Sequence, residues 1–254
     1  MRPLAAQPRE NPYSAAMHAL TAGIYGFLAK LLAPWQHLLL ALGHKTDGQG
    51  HDSFVPVREL HAQDRSDVLG HLLALESADR YLRFGYCAQD AQIESYVQHL
   101  DFARDRVYGI YNRKLQLIAM AHLAYGQEQE SKRCAEFGGS VLAHWRGRGL
   151  GAQLFARAQL HARNDGIDLL FIHALSENTA MLHIAQRAGA RVERLGSESD
   201  AYLALPTATV QSHLSEAVEA QIADTDYQIK AQARHFWAFL GRVNGRHPFQ
   251  PSEK

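Results

Sequence analysis

Hydrophobic positions recur at helical spacing from Tyr13 through Met17, Leu20, Ile24, Leu28 and Leu31, which predicts an amphipathic helix. Pro34 breaks it, and residues 35–42 are again apolar. Lys30, Pro34 and His37 keep this run short of the ~20 clean apolar residues of a membrane span. The stripe reads as a face for the domain, a partner or a membrane surface. Residues 1–11, polar with Pro3 and Pro8, form a tail without the pattern of a signal peptide. Residues 43–53, with Gly48 and Gly50, are a polar linker.

Residues 54–60 read as a first strand and 66–75 as a helix. In Arg80-Tyr81-Leu82-Arg83-Phe84, Leu82 and Phe84 suit a core. Asp90 is placed to cap a helix that carries Ile93, Tyr96, Val97 and Leu100 on one face. Residues 107–111 and 115–125 are β-rich and joined through Asn112, which tolerates the left-handed conformations of a tight hairpin. Residues 134–142 form a strand in which Gly138 and Gly139 signal a bulge or a close approach. Leu150, Leu154, Phe155 and Ala158 then recur at spacings of three and four, as in a helix. The continuous apolar run 167–174 is a strand covered on both faces. Residues 178–188 form a helix with Met181, Ile184, Ala185 and Ala188 inward, ended by Gly189. A closing hairpin pairs 190–193 with 201–205. Beyond Pro206, apolar residues from Val210 to Val243 predict a helical extension, single or folded as a hairpin.

The chemistry concentrates between the strand at 134–142 and the next helix, in Arg146-Gly147-Arg148-Gly149-Leu150-Gly151-Ala152. A glycine loop opening into a helix aims unpaired N–H groups at one point, and the helix dipole adds positive potential. That is an anion site suited to a phosphate. A Walker loop would need Gly-Lys-Ser/Thr, and a dinucleotide fingerprint would need GxGxxG; neither is present.

Composition narrows the classes. A chain of 254 residues accommodates one large domain, or a domain with extensions. Its 26 basic and 26 acidic side chains balance without a like-charge block, which argues against a nucleic-acid or anionic-membrane surface. Cys87 and Cys134 make no metal-type pair and fit a reducing compartment, the cytoplasm. The 15 histidines are scattered without an HExxH pattern, so no metal is expected.

The pattern Arg-x-x-Gly-x-Gly from Arg146 to Gly151 resembles the coenzyme A loop of the GNAT N-acetyltransferase superfamily. Ala135-Glu136-Phe137 stands where many members carry a catalytic glutamate, and Glu177-Asn178-x-x-Met181 followed by Gly189 resembles their next motif. The resemblance implies a GNAT-like domain over 51–206, with helical extensions at 1–50 and 207–254. Its fold is α/β (α+β), a mixed, strongly twisted sheet flanked by helices. It implies acetyl-CoA as cosubstrate and a primary amine as acceptor, either a protein lysine or a small molecule. The Tyr81-to-Phe84 stretch and Ala185 are similar to the bacterial protein-lysine acetyltransferase members, and Arg80 to Phe84 would line the acceptor side.

The same resemblance assigns roles. The N–H groups of Arg148, Gly149, Leu150, Gly151 and Ala152 would cradle the diphosphate, with Arg146 and Arg148 adding charge. Glycine at Gly149 and Gly151 would remove Cβ atoms that block close approach. The backbone of Ser140, Val141 and Leu142 would bond the pantetheine arm. Asn178 would bond that arm or cap its own helix. Glu136 would be the general base, its pKa raised by burial on the strand. Many members place a tyrosine acid seven residues beyond the asparagine, where Ala185 stands. The acid therefore stays open among Tyr202, Ser176 and His173. A non-catalytic acyl-CoA-binding module acting through its terminal helices is the rival reading, and those helices could also join two copies in a homodimer.

Overall fold

The computed structural model describes residues 55–126 and 132–243. The helix expected within 13–42 and the linker 43–53 lie outside the described residues. Seven strands, β1 (Arg58–Leu60), β2 (Arg106–Tyr111), β3 (Leu117–Tyr125), β4 (Cys134–Val141), β5 (Leu169–Leu175), β6 (Arg191–Leu195) and β7 (Glu198–Ala204), form one sheet in the order β1-β2-β3-β4-β5-β7-β6. Every neighbouring pair is antiparallel except β4–β5, which is parallel. Among the described residues the α-helices are α1 (Arg65–Leu73), α2 (Ser77–Phe84), α3 (Asp90–Gln98), α4 (Leu150–Asn164), α5 (Thr179–Arg187) and α6 (Val210–Val243). No described helix is long and apolar enough to cross a membrane.

The alternation of each strand divides the core between the two sheet faces. One cluster joins Leu60, Val107, Tyr111 and Met120 to Val68 and Leu72 of α1 and Ile93 and Val97 of α3. The other joins Tyr108, Ala121, Phe137, Leu170 and Ile172 to Leu154, Phe155 and Ala158 of α4 and Leu182 of α5.

Local chemistry departs from expectation at three places. The β2–β3 hairpin is shaped by the Asn112 side chain, whose Oδ1 accepts the N–H of Lys114 at 2.9 Å and of Gln116 at 3.0 Å. The left-handed residue is Leu115, at φ 57°, not Asn112. Helix α3 is capped by Gln89, whose N–H bonds the Gln92 side chain at 2.8 Å; Asp90 lies inside the first turn and pairs with Arg80 at 2.6 Å. Helix α6 is a single helix of 34 residues rather than a hairpin. Its sequence carries no proline, and no glycine before Gly241 that would favour a break.

Helix α6 packs on α4 and β1. Glu216 anchors it, accepting from Arg157 at 3.1 Å and Asn164 at 2.7 Å and bonding His161 Nδ1. Burial alone would raise the Glu216 carboxyl. The hydrogen bonds of His161 and Asn164 and the Arg157 charge outweigh it and hold the group at about 2.

Candidate active site

The β4–β5 ladder has three pairs, Cys134↔Leu169, Ala135↔Leu170 and Glu136↔Phe171. Beyond Glu136, β4 stays with β3 as far as Ala119↔Val141, while β5 stays with β7 as far as Leu175↔Glu198. The sheet therefore forks at Glu136 and Phe171. No bulge causes the fork, because the β3–β4 register is continuous through Gly138 and Gly139. A close approach occurs at Gly138, where Arg83 of α2 comes near: a Cβ there would stand 2.9 Å from its Nη1, whereas one on Gly139 would meet the Phe137 ring at 3.3 Å.

The glycine loop follows β4 and ends at the start of α4. Gly149 is the N-cap residue, left-handed at φ 74°, and no side chain caps the helix. The first-turn N–H groups of Leu150, Gly151 and Ala152 precede the first i→i−4 bond, from Gln153 to Gly149, and such groups have no intrahelical acceptor. At Gly151 the need for glycine is a packing one. An added Cβ would meet Ile184 Cδ1 of α5 at 3.1 Å and Val141 Cγ2 at 4.0 Å. The arginines are held by the protein: Arg146 forms an ion pair with Asp79 of α2, and Arg148 stacks 4.6 Å above the Trp145 ring.

The arm residues divide. Ser140 bonds His71 through its hydroxyl at 2.9 Å, and His71 Nδ1 lies 3.0 Å from the Leu117 carbonyl. That carbonyl can only accept, so Nδ1 carries the proton and the Ser140 hydroxyl donates to Nε2. Burial takes His71 down to about 4, so it is neutral at pH 7. Val141 is partly buried against the α4-side core. Leu142 departs from its expected role, since its N–H donates to Ile118 and its carbonyl accepts from Trp145. Asn178 caps α5 by accepting the Met181 N–H at 3.2 Å, and its amide reaches Leu82 O at 3.4 Å.

Glu136 is exposed. The expectation of burial fails because Glu136 projects to the sheet face opposite Ala135 and Phe137, which fill the α4-side core. In the ladder registers Glu136 shares a sheet face with His122 of β3 and His173 of β5, and its charge acts on both imidazoles. The three open candidates for the acid also separate. Ser176 bonds Gly196 O, Glu198 O and Ser199 Oγ, so its hydroxyl ties β5 to the β6–β7 hairpin. Tyr202 packs edge-on against Phe171 and donates to Asp200 at 3.4 Å. His173 is exposed, with Nδ1 2.6 Å from Asp200 Oδ1, and that bond outweighs desolvation to raise its pKa. Ala185, the position of the common tyrosine, is fully buried in the α4-side core.

A polar chain that the sequence reading passed over runs beside Glu136. Arg83 donates to Tyr96 Oη at 3.1 Å, Tyr96 Oη lies 2.8 Å from His122 Nδ1, and His122 Nε2 lies 3.0 Å from Asp105. The Asp105 carboxylate accepts from Nε2–H, so Nδ1 accepts from the tyrosine. Burial, ahead of the Asp105 bond, keeps the His122 pKa below its usual value. The available signal was His122 itself, a lone histidine inside the apolar run of β3.

Residues 71–190 match the family model described as "Acetyltransferase (GNAT) family". No curated protein matches the chain. Among solved structures, the GNAT domain of S. lividans PAT is 18% identical at a TM-score of 0.47, over 59% of this chain and 89% of that one. Spermidine N-acetyltransferase from Vibrio cholerae, in complex with CoA and spermine, is 17% identical at 0.48, over 60% and 96%. A putative acetyltransferase from Acinetobacter baylyi is 17% identical at 0.49, over 62% and 96%.

Proposed function

We propose that the chain, whose residues 71–190 carry an acetyltransferase domain of the GNAT family, moves an acetyl group from acetyl-CoA to a primary amine with Glu136 as general base. The observation that carries this reading is the fork. The β4–β5 ladder ends at Glu136↔Phe171, and the uncapped N-terminus of α4 follows at the far end of β4. An extended, amide-bearing arm fits a strand edge by main-chain hydrogen bonding, and a diphosphate fits the helix N-terminus. Ser140 and Val141 line the β4 side of the fork. Leu142 is better suited to hold the strand's end against β3, because its backbone groups are engaged within the protein.

Acetyl-CoA supplies the activated acyl group. The chain's own part is to orient the acceptor and move protons. An alkylammonium has a pKa near ~10.4 and must lose a proton before it attacks. Glu136, exposed at the apex of the fork, takes that proton directly or through water. The amine nitrogen bonds the acyl carbon and gives up its second proton to water, the carbon–sulfur bond breaks, and the sulfur leaves with the electron pair. A thiol pKa of ~8.5 makes the thiolate an acceptable leaving group. Of the three open candidates, His173 is best suited to return a proton, since its bond to Asp200 favours the imidazolium form.

The test is an acetyl-transfer screen with acetyl-CoA over small amines, amino acids and peptides, read by mass spectrometry and by release of free thiol. Acetylated product from the wild type, lost in Glu136→Gln, supports the reading. Coenzyme binding without transfer to any amine would instead favour the non-catalytic module.

A further inference from the structure

Arg83 is a half-buried cation without an anionic partner among the described residues. Its guanidinium lies over Gly138 of β4 and 5.2 Å from the Phe84 ring centroid. Its one hydrogen bond goes to Tyr96, a neutral group. Its Nε is buried with no acceptor. Glu136, on the same face of β4, forms no ion pair with it, and the other neighbouring carboxylates are engaged elsewhere: Asp79 with Arg146, Asp90 with Arg80, and Asp105 with Arg104 and His122. An arginine stays charged at any physiological pH. Other half-buried arginines here are met by carboxylates, as Arg58 and Arg80 are, or by backbone carbonyls, as Arg65 and Arg163 are, whereas Arg83 has neither. Here the hydrogen-bond chain fixes it by one edge only. The donor order Arg83 to Tyr96 to His122 to Asp105 has a single direction, because both the tyrosine and the histidine spend their protons toward Asp105.

Position then says what the free charge serves. Gly138 and Glu136 are two residues apart on one strand and share a face, a spacing of about 7 Å. Resting on the acetyl-transfer reading above, we infer that the acceptor is a small amino acid: its amine goes to Glu136 and its carboxylate to Arg83. A guanidinium fork matches a carboxylate in geometry and charge. A protein lysine or a polyamine would bring no anion to the guanidinium and leave it uncompensated.

The experiment measures kcat/KM of the full chain with acetyl-CoA for α- and ω-amino acids of graded length, each against its own carboxamide. The wild type should favour the acid over its amide by about tenfold or more, the size of a hydrogen bond to a charged group. Arg83→Gln should bring that ratio close to one, mainly through KM, and Arg83→Lys should keep part of it. Melting temperatures and the KM for acetyl-CoA separate this effect from misfolding. A wild type that acetylates amides, amines or peptide lysines as well as the acids overturns the inference and leaves acetyl transfer standing. An equal loss of kcat for acids and amides in Arg83→Gln overturns it too, since the arginine would then act on the reaction itself. Absence of transfer to every amine removes both readings together.

Discussion

Glu136 and Phe171 are the last residues that β4 and β5 pair in parallel, and the strands separate immediately beyond them. The Glu136 carboxylate is exposed at that fork, and it shares a sheet face with His122 and His173. Glu136→Gln keeps the shape but cannot take a proton at neutral pH. Its turnover should fall by about 10²–10⁴-fold, while calorimetry shows coenzyme A affinity nearly unchanged. Collapse of affinity as well would make Glu136 a structural residue.

On the proposed function, acetyl-CoA and free coenzyme A should stabilise the chain, because the open turn at Leu150, Gly151 and Ala152, their proposed phosphate site, exists only in the folded state. At one hundred times the dissociation constant the gain is about 2.7 kcal/mol. Thermal melts with coenzyme A and with ATP compare the two. A shift with ATP alone would move the phosphate site away from this loop.

Gly151→Val should lower stability and coenzyme affinity together. The new side chain would press on Ile184 Cδ1, 3.1 Å from the Cβ position, and part α4 from α5. Adding Ile184→Ala should recover part of the melting temperature. No recovery would mean that the valine clashes elsewhere. Gly149→Ala costs about 1–2 kcal/mol for a different reason, the left-handed backbone at φ 74°.

Acid should weaken the junction of α1 with β3 and β4 through His71. Its folded value of about 4 lies below the ordinary 6.5. Between these values the unfolded chain holds more protons, so His71's contribution is complete above pH 6.5 and is lost as pH falls toward 4. Denaturant unfolding across that range should show a shallower pH slope in His71→Gln than in the wild type. Parallel slopes would remove His71 as the titrating group.

Helix α2 was missed: the residues 77–84 suggest only Leu82 and Phe84 for a core, and the helix buries none of its residues. The rest of the order of elements, the hairpins, the glycine loop opening α4 and the helical nature of 210–243 were legible in the sequence. Each is set by short-range physics: apolar periodicity of two or 3.6, glycine where φ is positive, proline as a stop. Gly189, at φ 90° after α5, is such a position. The candidate base was legible because Glu136 precedes that loop on one continuous strand. Only the tertiary structure decided its surroundings. Burial of Glu136 was misjudged because exposure depends on what packs over the sheet face it points to, and nothing in the residues 134–141 encodes that cover. The role of Gly151 depends on Ile184, and the engagement of Arg146 depends on Asp79, each a partner distant in sequence. The chain from Arg83 to Asp105 joins α2, α3 and β3 with the turn before β2. Such a network is a product of packing: four polar side chains far apart in sequence find one another because the apolar faces of their elements bring them together, where buried polar groups gain by pairing.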